Sequence, residues 1–228
     1  MQLAGSAAPG QDAKMPRPSP AQIARFAEDG FLRIEGLLSP DEVAAAGARI
    51  TDLTLSLNGK PPPMEGRTTY ERAFLQVMNL WTHDPEVLAF ISRPELVGTA
   101  AALLGVERVR LYHDQSLYKE PGGGITPAHA DQYYWPLTSD RIVTAWIPLQ
   151  AVPEDMGPLA FYAGSHRHSF GRDLPISDES EALIVAEMEA AGFPLVGGAF
   201  APGEVSFHLG WTFHKAGANV SDKPRSVM

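Results

Sequence analysis

The sequence lacks cysteine entirely. This absence excludes disulfide bonds, thiolate zinc sites, iron–sulfur ligation and a cysteine nucleophile. Any metal ion would therefore be held by histidine, aspartate or glutamate. Ligands of these types favour iron, manganese or zinc bound through nitrogen and oxygen atoms.

Long apolar runs and clusters of basic residues are missing as well. No run is long enough to cross a bilayer, and the N-terminus lacks the charged-then-apolar pattern of a signal peptide, so we predict a soluble, cytoplasmic protein with no membrane partner. The formal net charge is −9. Nucleic-acid-binding surfaces are normally basic, so this charge argues against a nucleic-acid partner and favours a small-molecule substrate.

The chain of 228 residues is of a length that one large domain commonly has. Residues 1–18 are rich in Ala, Gly, Ser and Pro without a hydrophobic period, which predicts a disordered leader. The remainder, 19–228, is predicted to be one domain, with a helical scaffold over 19–105 followed by a β-rich core over 106–228.

Several helix starts are marked by capping signals. Ser19 and Ser39 each precede a proline at the first helical position and a Gln or Glu three residues after the cap. Residues 31–37 between these two helices form a short extended piece. Further helices are predicted over 84–91 and 94–104.

From Val106 onward the pattern changes to short β-rich runs separated by glycine or proline. The predicted strands lie at 106–115, 142–148, 159–162, 203–208 and 213–215, with one helix at about 178–191. Short strands with turn residues between them favour a jelly roll over a parallel sheet. The predicted fold class is mainly β with flanking α-helices.

The segment from Thr126 to Pro136 contains the first chemical motif. His129 and Asp131 are two residues apart, so on an extended backbone both side chains leave from one face of the strand. An imidazole and a carboxylate on one face, completed by a distant second histidine, make the facial triad of non-heme iron sites. This spacing alone leaves the metal site undecided.

A third ligand is expected from a later strand, and His214 lies in a short β-like run that ends at glycine. A buried histidine whose ring bonds a backbone carbonyl is the ordinary alternative for any single histidine. Other histidines compete for the ligand position or fit this alternative better: His208, His166, His168, His83 and His113.

Two basic residues are candidates for binding an anion. Arg225 stands at the head of a predicted strand, where a guanidinium grips a carboxylate through two parallel hydrogen bonds. Lys119 ends the alternating run before the glycine-rich turn at 122–124. Surface exposure is the ordinary alternative for both residues.

Aromatic residues follow the metal motif directly. Tyr133, Tyr134 and Trp135 come next in the chain, and Trp146 lies in the following β-run. Aromatic side chains so placed line a substrate pocket or belong to an ordinary strand core.

The order and spacing of several motif blocks resemble the phytanoyl-CoA dioxygenase-like family of Fe(II)/2-oxoglutarate oxygenases. The resemblance covers about residues 20–228. Its blocks are Lys119-Glu120-Pro121-Gly122, Thr126 to Asp131, Trp135-Pro136, Thr144 to Leu149, Gly157 to His166, and His214 with Gly217, Asn219 and Arg225.

This resemblance implies a double-stranded β-helix core, with Fe(II), 2-oxoglutarate and O2 as cofactor and cosubstrates. It implies roles for ten side chains. Iron would be bound by His129, Asp131 and His214, and the far carboxylate of 2-oxoglutarate by Arg225. The residues around the cosubstrate would be Lys119, Thr126 and Trp146. The residues facing the primary substrate would be Gln115, Tyr134 and Trp135.

The reaction implied by the family is hydroxylation of an unactivated carbon, with release of succinate and CO2. Halogenating relatives replace the ligand carboxylate by a small residue, whereas Asp131 is present here. The expected substrates are an amino acid, a natural-product intermediate or an acyl derivative. The absence of a basic patch disfavours a coenzyme A ester. The alternative is a non-catalytic jelly roll that binds a small molecule or a metal.

The sequence departs from the family pattern at three places. Ala130 replaces a glutamine found in many relatives between the first two ligands, and Ala216 replaces a serine found in some. The chain reaches Met228 where the last core strand should begin. We therefore expect either a missing tail or a barrel edge with unpaired backbone groups.

Overall fold

The computed structural model describes residues 17–228, so the predicted leader lies outside the described residues except for its last two positions. Its helices are α1 Pro20–Asp29, α2 Pro40–Asn58, α3 Thr69–Ala73, α4 Pro85–Ile91, α5 Pro94–Leu103 and α6 Asp178–Ala190. Its strands are β1 Phe31–Ile34, β2 Leu75–Met78, β3 Gln115–Lys119, β4 Thr126–His129, β5 Val143–Trp146, β6 Leu159–Tyr162, β7 Leu195–Val196, β8 Val205–Leu209, β9 His214–Ala216 and β10 Arg225–Val227.

The predicted helix starts are confirmed in their capping contacts. Ser19 and Ser39 each accept a hydrogen bond from the backbone N–H three residues on, and the residue there bonds back to the cap. The Asp84 carboxylate accepts from Glu86 N at the start of α4. Each contact satisfies a backbone donor that the first helical turn leaves free.

The strands form three antiparallel sheets in the orders β1-β8-β5, β10-β3-β2 and β4-β9-β6-β7. Helices α1, α2, α4 and α5 contribute with β8 to one apolar core, whose members include Phe26, Val43 and Phe207. A second core around Phe161 and Val227 lies between the sheets. The predicted class, mainly β in a jelly roll with flanking helices, is confirmed.

The strand predicted from Val106 begins only at Gln115, and residues 106–114 are irregular. Asp114 explains the difference, because its carboxylate accepts from the backbone N–H groups of Leu80 at 2.6 Å and Trp81 at 2.9 Å. These bonds tie the segment to the turn after β2 instead of to a sheet. The short elements α3 and β2 were not predicted, since five and four residues carry little periodicity.

The last described residues are paired on both sides, so the unpaired edge expected there is not observed. Strand β10 pairs with β3, with Arg225 opposite Lys119. Met228 exchanges two backbone hydrogen bonds with Ile147, at 2.8 and 3.0 Å. Arg225, on the paired strand β10, is buried and only 1% exposed.

Among residues 17–228, no helix combines the length and apolar character that crossing a membrane requires.

Candidate metal centre and adjoining cavity

His129, Asp131 and His214 lie together where β4 pairs with β9. His129 and His214 are register partners across the two strands. The Asp131 Oδ1 atom lies 3.6 Å from Nε2 of each histidine. Potential ligand atoms of all three residues lie within 4.8 Å of one another. The spacing from His129 suggested that Asp131 lies on the same strand. Instead, Asp131 begins a 3₁₀ turn over Asp131–Tyr134.

The two histidine rings are held by backbone carbonyl groups. His129 Nδ1 lies 2.7 Å from Pro127 O, and His214 Nδ1 lies 2.9 Å from Thr212 O. A carbonyl oxygen only accepts, so each Nδ1 donates to it, and Nε2, which faces Asp131, is the nitrogen left to bind a metal. Burial, followed by the neighbouring His129, lowers the pKa of His214 to about 3. The His214 ring is thus arranged as a neutral ligand.

The outer oxygen of Asp131 is held by two residues that face each other across β5 and β8. Asp131 Oδ2 lies 2.9 Å from Thr144 Oγ1 and 3.0 Å from His208 Nε2. Thr144 and His208 are register partners. They leave Oδ1 free on the side of the two ligand histidines. Such outer contacts orient a ligand carboxylate and tune its metal.

His208 was considered in the sequence only as a competitor for the third ligand position. The structure places it behind the carboxylate, 1% exposed. No local pattern indicates this role, because it depends on the register between β5 and β8. The role of His208 can be recognised from the sequence only when the pairing of β5 with β8 is known.

Replacing His208 by phenylalanine is expected to weaken divalent metal binding by about 10- to 100-fold, because Asp131 loses an orienting donor. Glutamine should restore part of the affinity through its amide N–H. Anaerobic calorimetric titration with Fe(II) measures both values. His168→Phe is the matched control, since His168 Nε2 contacts the Glu187 carboxylate at 2.9 Å, away from this site. Equal affinities for wild type and His208→Phe would contradict an orienting role.

A cavity of about 500 Å³ adjoins the three candidate ligands. Its buried end is formed by residues of the β-strands, and its exposed end by side chains from α3, β2 and the irregular segments. The buried-end residues are Thr126, Trp146, Leu159, Ala216 and Arg225. The exposed-end residues include Tyr70, Phe74, Gln76, Met78, Tyr112, His113, Gln115, Tyr134 and Trp135.

The buried end carries polar atoms that have no partner among residues 17–228. Arg225 Nε and Thr126 Oγ1 are both buried without a hydrogen bond, although Arg225 Nη1 donates to Gly157 O. Burial lowers the pKa of Arg225 to about 10, which leaves the guanidinium charged at neutral pH. Buried donors and a buried cation without a carboxylate partner are costly. The donor set therefore fits the carboxylate of a ligand such as 2-oxoglutarate.

Lys119 was expected to border the cosubstrate, but the structure does not bring it to the cavity wall. Its Nζ donates to Gly124 O at 2.5 Å and Gly217 O at 2.8 Å. Burial, followed by the charge of Arg225, lowers the pKa of Lys119 to about 6. Lys119 lies directly opposite Arg225 on the paired strand, so both side chains leave the sheet on the same face, and the two carbonyl contacts occupy the Lys119 ammonium group.

The other residues that the family resemblance assigned to the pocket line the cavity, whereas the candidate Tyr133 does not. Trp146 lies beside Arg225, with the guanidinium carbon 5.6 Å from its ring centroid. Gln115 accepts a hydrogen bond from Gln76 Nε2 at 2.5 Å, and the Tyr134 hydroxyl accepts from Ile176 N at 2.6 Å. Trp135 completes this group at the exposed end.

The two alanines that depart from the family pattern have different surroundings. Ala130 is buried in a cluster with Ile184 and Met188 of α6. A small apolar residue suits that contact, because a glutamine amide there would need buried partners. Ala216 lines the cavity and is 2% exposed, so it presents a methyl group to the ligand space.

The chain is similar in sequence to a known protein family and to individual relatives. The sequence profile described as phytanoyl-CoA dioxygenase (PhyH) matches residues 26–227. A probable alpha-ketoglutarate-dependent hypophosphite dioxygenase from Stutzerimonas stutzeri is 25% identical over 219 residues, covering 88% of this chain and 73% of the relative.

Two solved structures from nogalamycin biosynthesis are similar in sequence and fold. The non-heme alpha ketoglutarate dependent carbocyclase SnoK is 28% identical with a TM-score of 0.77, covering 92% of this chain and 82% of SnoK. The epimerase SnoN, in complex with Fe3+, alpha ketoglutarate and nogalamycin RO, is 26% identical with a TM-score of 0.74, covering 91% of this chain and 80% of SnoN.

Proposed function

Because the chain belongs to the phytanoyl-CoA dioxygenase family of iron- and 2-oxoglutarate-dependent enzymes, we propose that it hydroxylates an unactivated carbon of a small organic substrate, with iron held by His129, Asp131 and His214. The observation that carries this proposal is the shared cavity. Three candidate metal ligands and a buried arginine, which has no carboxylate partner in the described part of the chain, face the same space.

The residues around the proposed iron site have separate roles. Pro127 O and Thr212 O fix the histidine tautomers, and His208 with Thr144 turns Oδ1 of Asp131 toward the rings. Arg225 and Thr126 offer donors to the far carboxylate of the cosubstrate. Iron and 2-oxoglutarate, when bound, supply the activation of O2 that lets a C–H bond be oxidised while the cosubstrate is converted to succinate and CO2.

The buried position of the centre limits access by water. His129 is 9% exposed, His214 4% and Arg225 1%. Exclusion of water strengthens the contact between the guanidinium and a carboxylate and protects a reactive centre from side reactions. A cytoplasmic location and the lack of nucleic-acid partners stay predictions from composition.

Adding Fe(II) and then 2-oxoglutarate to the protein without oxygen is expected to produce the visible metal-to-ligand charge-transfer band of such centres. Subsequent exposure to O2 should release succinate, even without primary substrate. Circular dichroism and metal analysis show whether the protein is folded and loaded. Folded, iron-loaded protein without the band would refute the proposed assignment.

A further inference from the structure

The residues that line the exposed end of the cavity restrict the chemical class of the primary substrate. We propose that this substrate is a neutral ring compound with a flat unsaturated face and carbonyl or hydroxyl oxygens, such as an aromatic ketone. This inference rests on the proposed function, because it assigns the iron and 2-oxoglutarate to the buried end. It narrows the predicted range of amino acids, natural-product intermediates and acyl derivatives to one chemical class.

The charged groups that line the cavity are already assigned. Asp131 is a candidate metal ligand, and among the described residues that line the cavity Arg225 is the only one with a guanidinium or ammonium group. The remaining titratable groups at the exposed end are His113 and the three tyrosines Tyr70, Tyr112 and Tyr134. Burial lowers the pKa of His113 and raises the pKa values of Tyr70 and Tyr134, so all three favour their neutral forms.

A charged group of the substrate that is buried against these lining residues would therefore gain no counter-ion from them. Burying an unpaired ammonium, carboxylate or phosphate costs several kcal/mol. Free amino acids, small oxyanions and coenzyme A esters each bring at least one such group. A neutral molecule avoids this cost.

Aromatic rings line the exposed end from separate parts of the chain. Trp135 lies edge-on to Tyr112, with ring centroids 6.2 Å apart, and to His113, at 5.8 Å. Tyr70 and Phe74 form a second edge-on pair at 5.2 Å. Tyr112 is 50% exposed and Tyr70 37%. Such rings offer faces and edges that a flat unsaturated ligand stacks against.

The uncharged polar groups at this end are hydrogen-bond donors. Tyr70 donates to Gln76 Oε1 at 3.0 Å, and Gln76 Nε2 donates to Gln115 Oε1 at 2.5 Å. This chain of bonds leaves the Gln115 amide N–H groups for a ligand. The Tyr134 hydroxyl accepts from Ile176 N, which leaves its own proton available. Two neutral donors suit the oxygen of a ketone or hydroxyl group.

The test uses the anaerobic complex of full-length protein with Fe(II) and 2-oxoglutarate. Flavanone and 1-tetralone are the neutral probes; L-proline, L-arginine and hexanoyl-CoA are the charged probes. Binding is measured by calorimetry and by the shift of the charge-transfer band, and then succinate release is measured in air. We expect the neutral probes to bind, shift the band and raise succinate release by about tenfold, and the charged probes to do none of these.

Two variants locate the binding site. Trp135→Ala and Gln115→Leu should each weaken flavanone binding by about tenfold, through loss of stacking and of a donor. Trp81→Ala is the matched control, because Trp81 is 36% exposed and lies outside the cavity lining. The charge-transfer band shows that each variant has formed its metal centre.

The outcomes separate this inference from the proposed function. Absence of the band in wild type refutes the iron and 2-oxoglutarate assignment itself. If the band forms but a charged probe binds more tightly than both neutral probes, or neither neutral probe perturbs the band, the substrate class is wrong. Unchanged flavanone binding in both variants also overturns it.

Discussion

Replacing Asp131 by alanine is expected to abolish succinate release and to weaken Fe(II) binding far more than His208→Phe does. The substitution removes Oδ1, the oxygen that lies 3.6 Å from Nε2 of both His129 and His214. It also leaves His208 Nε2 and Thr144 Oγ1 without the carboxylate that they contact. Loss of a partner to a ligand costs about 10- to 100-fold in metal affinity, and loss of the ligand itself should exceed that range.

Fe(II) titration and succinate release measure this effect directly. Asp52→Ala is the matched control, because Asp52 lies on the exposed side of α2, outside the cavity lining. It should behave as wild type in both assays. Thermal unfolding of metal-free protein shows whether Asp131→Ala remains folded. A folded Asp131→Ala protein with wild-type Fe(II) affinity would remove Asp131 from the proposed ligands.

Much of the site could be predicted because its chemistry is local in sequence. His129 and Asp131 are two residues apart, and His214 lies in a recognisable β-run, so residue type and spacing make all three candidates. The family resemblance then selects His214 over the competing histidines. The family resemblance adds Arg225 through a fixed distance from His214. Capping boxes likewise depend on four consecutive residues, which explains why the starts of α1 and α2 were predicted to the residue.

Features that depend on strand register could not be read in the same way. His208 reaches Asp131 only because β5 and β8 align it with Thr144, and the Lys119 ammonium group is occupied by the carbonyl oxygens of Gly124 and Gly217. The segment 106–114 has the alternation of a strand, yet the buried Asp114 carboxylate makes a tertiary contact that overrides it. These features share one cause, which is that contacts between distant parts of the chain decide what an otherwise ordinary residue touches.

Replacing Arg225 by methionine is expected to weaken 2-oxoglutarate binding by roughly 10- to 100-fold. A hydrogen bond to a charged group contributes about 1.5–3 kcal/mol, and a guanidinium offers a carboxylate two in parallel. Arg225→Lys keeps the charge without the planar pair of donors, so its affinity should lie between those of methionine and wild type. Anaerobic titration with 2-oxoglutarate at saturating Fe(II), followed by the charge-transfer band, gives the three affinities. Arg108→Met, at an exposed position, is the control.

Stability of the ligand-free protein distinguishes a binding role for Arg225 from a packing role. The guanidinium is 1% exposed, and Nε has no partner. Removing a buried charge without a counter-ion should leave the free energy of unfolding unchanged or raised, apart from the lost bond to Gly157 O. The stabilisation that 2-oxoglutarate adds, RT ln(1 + [L]/Kd), should fall in the same variant. A methionine variant that is less stable without ligand, yet gains as much from 2-oxoglutarate as wild type, would show that Arg225 serves packing alone.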